Sequence, residues 1–203
     1  AQNPGGNYRY YVNTLSCHDN KYTVINGNRI AIGYQAIFSP FIPMWYLGEE
    51  WNNSRDSDLN SKGSVLYFNS IHWEQLENTE NREFFEAVKR MIRVRRKYTE
   101  IYTAYPEKFK DTAITAISGV GINAVSYARY SGNSAIIVIP NYSNVRSEVN
   151  LSLPISETGL SGYRYFTVTD GETGELLTVA RGVEALKIAV EAMSQRIIRI
   201  CAE

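Results

Sequence analysis

The sequence predicts an α+β protein in which two β/α units precede an antiparallel β-sandwich. Three observations carry this prediction. Strand-length apolar segments at 10–15 and 42–47 alternate with two helical stripes in the first half of the chain. The stripe that opens at Thr79 is the clearest helix, with apolar residues recurring at helical spacing and charges between them. Beyond Pro106 the pattern changes to a succession of short strands separated by turn residues. The expected division is 1–103 for the β/α part and 104–203 for the sandwich.

Taken in order, residues 10–15 read as a strand that delivers the adjacent pair His18-Asp19 into a loop. In barrel-type α/β enzymes the C-terminal end of a strand is where chemistry sits. Asn26-Gly27-Asn28 reads as a turn, and Ile30, Tyr34, Ile37 and Phe41 follow at near-helical spacing until Pro40 ends the helix. The run Ile42-Pro43-Met44-Trp45-Tyr46-Leu47 is apolar without alternation, which suits a parallel strand buried on both faces. Residues 52–69 are polar and turn-rich and read as a long loop.

In the helix from Thr79, Phe84, Phe85, Val88, Met91, Ile92 and Tyr98 form the apolar stripe. Lys89, Arg90, Arg93, Arg95, Arg96 and Lys97 make its second half basic, as the helix dipole favours. Strands are then expected at 113–117, 122–130, 134–139, 149–153, 163–169, 176–179, 186–190 and 196–200, with turns such as Ser131-Gly132-Asn133 and Asp170-Gly171 between them.

Composition narrows the function classes. The 44% hydrophobic and 21% charged content is that of an ordinary globular chain. Twenty-one basic residues balance 21 acidic ones, so no net field draws the protein to nucleic acid or to an anionic membrane. No apolar run approaches the ~20 residues that span a bilayer. Cys17 and Cys201 are too few and too far apart for a disulfide framework, and two His with two Cys offer no metal-ligand spacing. The first residues lack the basic and apolar regions of a signal peptide, and the chain does not open on Met. A processed product or a part of a longer chain is therefore expected, and the compartment is left open.

Local carboxylates make poor catalytic pairs. Glu49 and Glu50 are adjacent, so on a strand they would point to opposite faces. Glu74 and Glu77 precede the strong helix, where dipole support explains them. Cys17 is expected to be a small buried residue. His72 and Trp73 are expected to pin the loop, and Trp45 and Tyr46 to be core or rim.

Three passages, in order, resemble the C-terminal part of an α-amylase-family enzyme, glycoside hydrolase family 13. Residues 12–20, ending Ser16-Cys17-His18-Asp19-Asn20, are similar to the family's fourth sequence region, where a His-Asp pair closes the seventh barrel strand. Residues 39–50, from Ser39-Pro40-Phe41 through Met44-Trp45-Tyr46 to Gly48-Glu49-Glu50, resemble the eighth-strand passage, with Phe41 in place of the usual Gly. His72-Trp73, before a helix ending Ile92-Arg93-Val94-Arg95-Arg96, is similar to the family's approach to its domain C. The match is specific over 8–98. From 106 onward it rests on the strand pattern and on Tyr163, Val168, Asp170 and Thr173-Gly174-Glu175. Cys17 to Asn20 and Asp58-Leu59-Asn60-Ser61 lean toward pullulanase- or isoamylase-like debranching members.

The resemblance implies the last two β/α units of a TIM-type (β/α)8 barrel followed by a β-sandwich, domain C. It implies that Asp19 stabilises the transition state and that His18 and Asn20 contact the sugar, with Trp51 the stacking candidate beyond the strand end. The substrate would be an α-glucan. No metal or cofactor site is expected from these residues; calcium is common in the family, but no acidic cluster here forms a convincing site.

The family's nucleophile and acid/base belong to its fourth and fifth barrel strands, which these residues do not include. A complete barrel takes roughly 250 residues. The chain alone is therefore expected to be inactive, with self-association through its incomplete barrel edge. A non-catalytic carbohydrate-binding module and a catalytically dead paralogue stay open beside the hydrolase fragment.

Overall fold

The computed structural model describes residues 12–14, 30–33, 35, 42–53, 70–98, 114–117, 120–182 and 185–203. In chain order the strands are β1 (Val12–Thr14), β2 (Ile42–Met44), β3 (Ile114–Ile117), β4 (Ser126–Ser131), β5 (Ser134–Asn141), β6 (Ser147–Ser152), β7 (Tyr165–Asp170), β8 (Leu176–Arg181), β9 (Ala185–Val190) and β10 (Ser194–Ala202). The long helix α1 spans Thr79–Lys97. All eight strands expected in the second half are present, most with bounds shifted by a few residues. The largest shift is in β4, which starts at Ser126. Asn123 has φ 56 and interrupts the extended backbone, so Ile122 makes only an isolated bridge to Asn141.

β1 and β2 run parallel, with Val12 opposite Ile42 and Thr14 opposite Met44. Parallel neighbours require a crossover connection, and residues 30–33 within it are helical. Buried Ile32 packs there with Phe84 and Val88 of α1. The expectation of a β2 buried on both faces fails: Ile42 and Met44 are 48% and 52% exposed. A continuous apolar run reports what a strand can bury, not whether a neighbouring layer is there to cover it.

The second half is built on a six-stranded antiparallel sheet in the order β3-β4-β5-β10-β7-β8, with β6 and β9 paired separately. Strand periodicity sorts β5 into two faces. Ala135, Ile137 and Ile139 join Phe166, Val168, Ile198 and Ile200 in one core, which Leu151, Ile188 and Val190 of the β6–β9 pair close from the other side. Ile136 and Val138, with Ile197 of β10, meet Met91, Val94 and Tyr98 from α1 and its C-cap. The layers are thus helix, six-stranded sheet, two-stranded sheet, and β5 is buried along its whole length because both of its faces are covered.

α1 begins at Asn78, whose side chain accepts hydrogen bonds from the backbone N–H groups of Glu80 and Asn81 at 2.9 and 3.3 Å. Its C-terminal end is held to the turn between β7 and β8. The buried Tyr98 hydroxyl donates to the Gly171 carbonyl at 3.1 Å, and Arg90 pairs with Glu172 at 3.2 Å. Asp170 organises that turn by accepting from the N–H groups of Glu172 and Thr173 and pairing with Arg196 at 2.8 Å. Arg90 of the basic half of α1 therefore has a structural partner within the fold.

Candidate functional site

His18, Asp19 and Asn20 lie outside the described residues, and the described part of the candidate site is the C-terminal end of β2. Beyond Met44 the chain turns at Gly48, which has φ 93. A Cβ on Gly48 would approach that of Asn53 to 2.6 Å, so both the backbone angle and the close passage require glycine. A 3-10 turn, Glu49–Trp51, follows.

In this turn the two adjacent carboxylates fold back onto their own backbone. Buried Glu49 accepts from the Tyr46 N–H at 3.1 Å through Oε2, and Glu50 accepts from the Gly48 N–H at 3.0 Å. They lie on a turn rather than a strand, and both bonds shape that turn. Neither geometry makes the pair flank one glycosidic bond, which takes carboxyl groups ≈ 5–5.5 Å apart in a retaining enzyme.

Asn53 joins this turn to residues 70–72. Its side-chain amide donates to the Ser70 carbonyl at 3.2 Å, and its Oδ1 accepts from the His72 N–H at 2.8 Å. On the other side, buried Gln35 donates to the Met44 carbonyl at 3.4 Å and accepts from the Trp45 indole N–H. These two amides fix the strand end from both flanks. Neither stood out in the sequence, because isolated Asn and Gln residues carry no spacing signal.

The two tryptophans differ in exposure from what the sequence led us to expect. Trp51, the stacking candidate, is only 1% exposed. Its ring lies 4.8 Å from that of Trp73, tilted by 32°, and 6.1 Å from the Phe85 ring in an edge-on arrangement. Trp51 therefore presents no open face to a sugar. Trp73, expected to pin the loop, is 60% exposed. It opens the 3-10 turn Trp73–Glu77, and its neighbour His72 contacts Glu74 through Nδ1 at 2.9 Å.

Elsewhere a cleft of about 680 Å³ opens at the end of the sandwich between Ile117, Asn150 and Tyr163. Glu157 on its wall is held below the usual carboxylate range by the Ser156 hydroxyl. Among the described residues no second carboxylate lines this cleft. Among the described residues no group of three His, Cys, Asp or Glu gathers to hold a metal ion, and no helix is long and apolar enough to cross a membrane.

No protein-family model matches the sequence, and no curated protein matches it. Solved structures do match by fold. The α-amylase from H. orenii superposes with a TM-score of 0.61 at 18% identity, over 95% of this chain and 40% of its own. The α-amylase from Geobacillus thermoleovorans, solved with acarbose, gives 0.59 at 12% identity, over 96% of this chain and 40% of its own. A debranching enzyme from Nostoc punctiforme gives 0.57 at 17% identity, over 93% and 35%. The chain thus spans two-fifths or less of each of these neighbours. It has the fold of the C-terminal region of α-amylase-type glycoside hydrolases.

Proposed function

We propose that this chain is the C-terminal part of a retaining, α-glucan-active hydrolase of the α-amylase type. Residues 1–103 would supply the last two β/α units of its barrel and residues 104–203 its domain C. The observation that carries this reading is the parallel β1–β2 pair leading through α1 into a sandwich, in a chain nearly all of which superposes on α-amylases. Asp19 follows Thr14, the last residue of β1, by five positions in the sequence. That spacing supports a loop carboxylate at the C-terminal end of a barrel strand.

In this reading Asp19 holds sugar hydroxyls beside the scissile bond and favours the distorted, oxocarbenium-like transition state. His18 and Asn20 contribute hydrogen bonds to the same sugar, which strengthen in a water-poor pocket. The nucleophile and the acid/base come from strands outside these residues. Among the described residues β1 and β2 pair only with each other, and this, with half-exposed Ile42 and Met44, supports completion by further strands. A second copy of the chain is the alternative occupant. The Cys17-His18-Asp19-Asn20 wording favours a debranching specificity within the class.

Production of the chain alone, and joined to the segment encoded upstream of Ala1, tests the reading. The chain alone should leave soluble starch and pullulan intact, and the joined protein should hydrolyse at least one of them. Turnover by the pure chain would contradict it. So would an upstream segment that encodes no β/α units, which favours a binding module, or units lacking the two carboxylates, which favours a dead paralogue.

A further inference from the structure

We propose that Trp73 is a sugar-stacking platform, taking a glucosyl ring of an α-glucan on its open face. This rests on the hydrolase reading for the identity of the sugar, and on the local geometry for the platform itself. A large aromatic ring that remains mostly in water is unusual in a folded chain, because burying it would contribute favourably. Trp73 is 60% exposed even though the buried Trp51 ring lies 4.8 Å from it, tilted by 32°.

The backing is rigid. Trp51 is buried, and Phe85 of α1 meets it edge-on, so the pair is anchored to the long helix. The Trp73 backbone is fixed as well. It belongs to a 3-10 turn, and the residue before it donates its N–H to Asn53 Oδ1 at 2.8 Å. A ring ordered before its ligand arrives loses little conformational entropy on binding.

The surroundings favour a sugar over a protein surface. His72 and Glu74 flank Trp73 and contact each other at 2.9 Å, with 26% and 68% of their side chains exposed. They set an imidazole and a carboxylate on either side of Trp73 in the sequence, the donor and acceptor types that recognise hydroxyl groups at the rim of an apolar pyranose face. The platform also adjoins the turn that follows β2, since Asn53 links that turn to residues 70–72. An α-glucan lying across the C-terminal ends of the barrel strands would come within reach of it.

Titration of the 203-residue chain with maltoheptaose, followed by tryptophan fluorescence and calorimetry, tests this. Saturable binding with a blue shift of the emission is expected. Trp73→Ala should abolish the shift and weaken binding by roughly tenfold or more, whereas Trp73→Phe, which keeps a stacking face, should lose less. Equal thermal unfolding midpoints for the two variants exclude misfolding as the cause. Absence of binding, or equal affinity in Trp73→Ala, overturns the proposal. So does loss of acrylamide access to Trp73 in the protein joined to its upstream segment without sugar, because a protein surface would then own the ring. Starch hydrolysis by that joined protein reports on the hydrolase reading separately, so a failed platform and a failed enzyme assignment are told apart.

Discussion

Gly171 illustrates how little room separates the layers at single positions. Its N–H donates to the Ile197 carbonyl at 2.8 Å, and its carbonyl accepts from the Tyr98 hydroxyl. A Cβ at this position would sit 2.3 Å from Cγ2 of Ile197 and 3.1 Å from its Cβ. Ile197 is branched and fully buried, so it cannot swing away as the end of a long side chain could. Gly171→Ala should therefore destabilise the fold by about 1–3 kcal/mol, the usual cost of overpacking. Chemical denaturation measures it, and a midpoint equal to the parent's would show that the hairpin and β10 have slack. Gly33 contrasts with it. There an added Cβ would meet only the amide end of Gln195, which can rotate aside.

Between elements, the joint of α1 with the β7–β8 turn is the place where charge and packing oppose each other. Burial pushes the Glu172 carboxyl above the ordinary carboxylate value, and the attraction of Arg90 only partly offsets it. A carboxyl whose folded value is raised favours folding while protonated. Its contribution is present below the ordinary value of 4.5 and is lost as pH rises through the folded value. Glu172→Gln should accordingly be more stable than the parent at pH 7 and indistinguishable from it below pH 4. Urea denaturation at the two pH values checks this, and a variant less stable at pH 7 would mean that the Arg90 pair outweighs the burial cost.

The elements themselves were largely legible in the sequence, and the reasons are specific. The sandwich strands announce themselves because alternation such as Leu186, Ile188, Val190 is local and is punctuated by turn residues. α1 was legible for the same reason, although its cap, Asn78, was not singled out. The exposure of β2 was not legible, because an apolar run is the same string whether or not a layer covers it. The burial of Trp51 and the exposure of Trp73 were hidden for a related reason. Which ring faces inward depends on two 3-10 turns and on the distant Phe85, and no short-range spacing encodes that.

On the scale of the whole molecule, the chain joins a part with a closed core to a two-stranded parallel pair. The sandwich has a closed core with residues from both sheets. β1 and β2 have three residues each and pair with no third strand among the described residues, and parallel sheets are stable when extended and covered on both faces. α1 connects the two parts, packing on Ile32 with one stretch of its apolar face and on β5 and β10 with the next. The six-stranded sheet thereby serves as a base for α1. The chemistry proposed for the molecule is assigned to Asp19, which follows β1 in the sequence.

That proposal turns on Asp19. The direct measurement is kcat on soluble starch and pullulan for the protein joined to its upstream segment, compared with its Asp19→Asn variant. The substitution removes charge without volume, so the fold and its unfolding midpoint should be kept. The expected result is a fall in kcat of roughly a hundredfold or more, the scale on which a lost transition-state contact reads out. Turnover within a few-fold of the parent would contradict the assignment of Asp19 and, with it, the reading of this chain as part of an α-amylase-type active site.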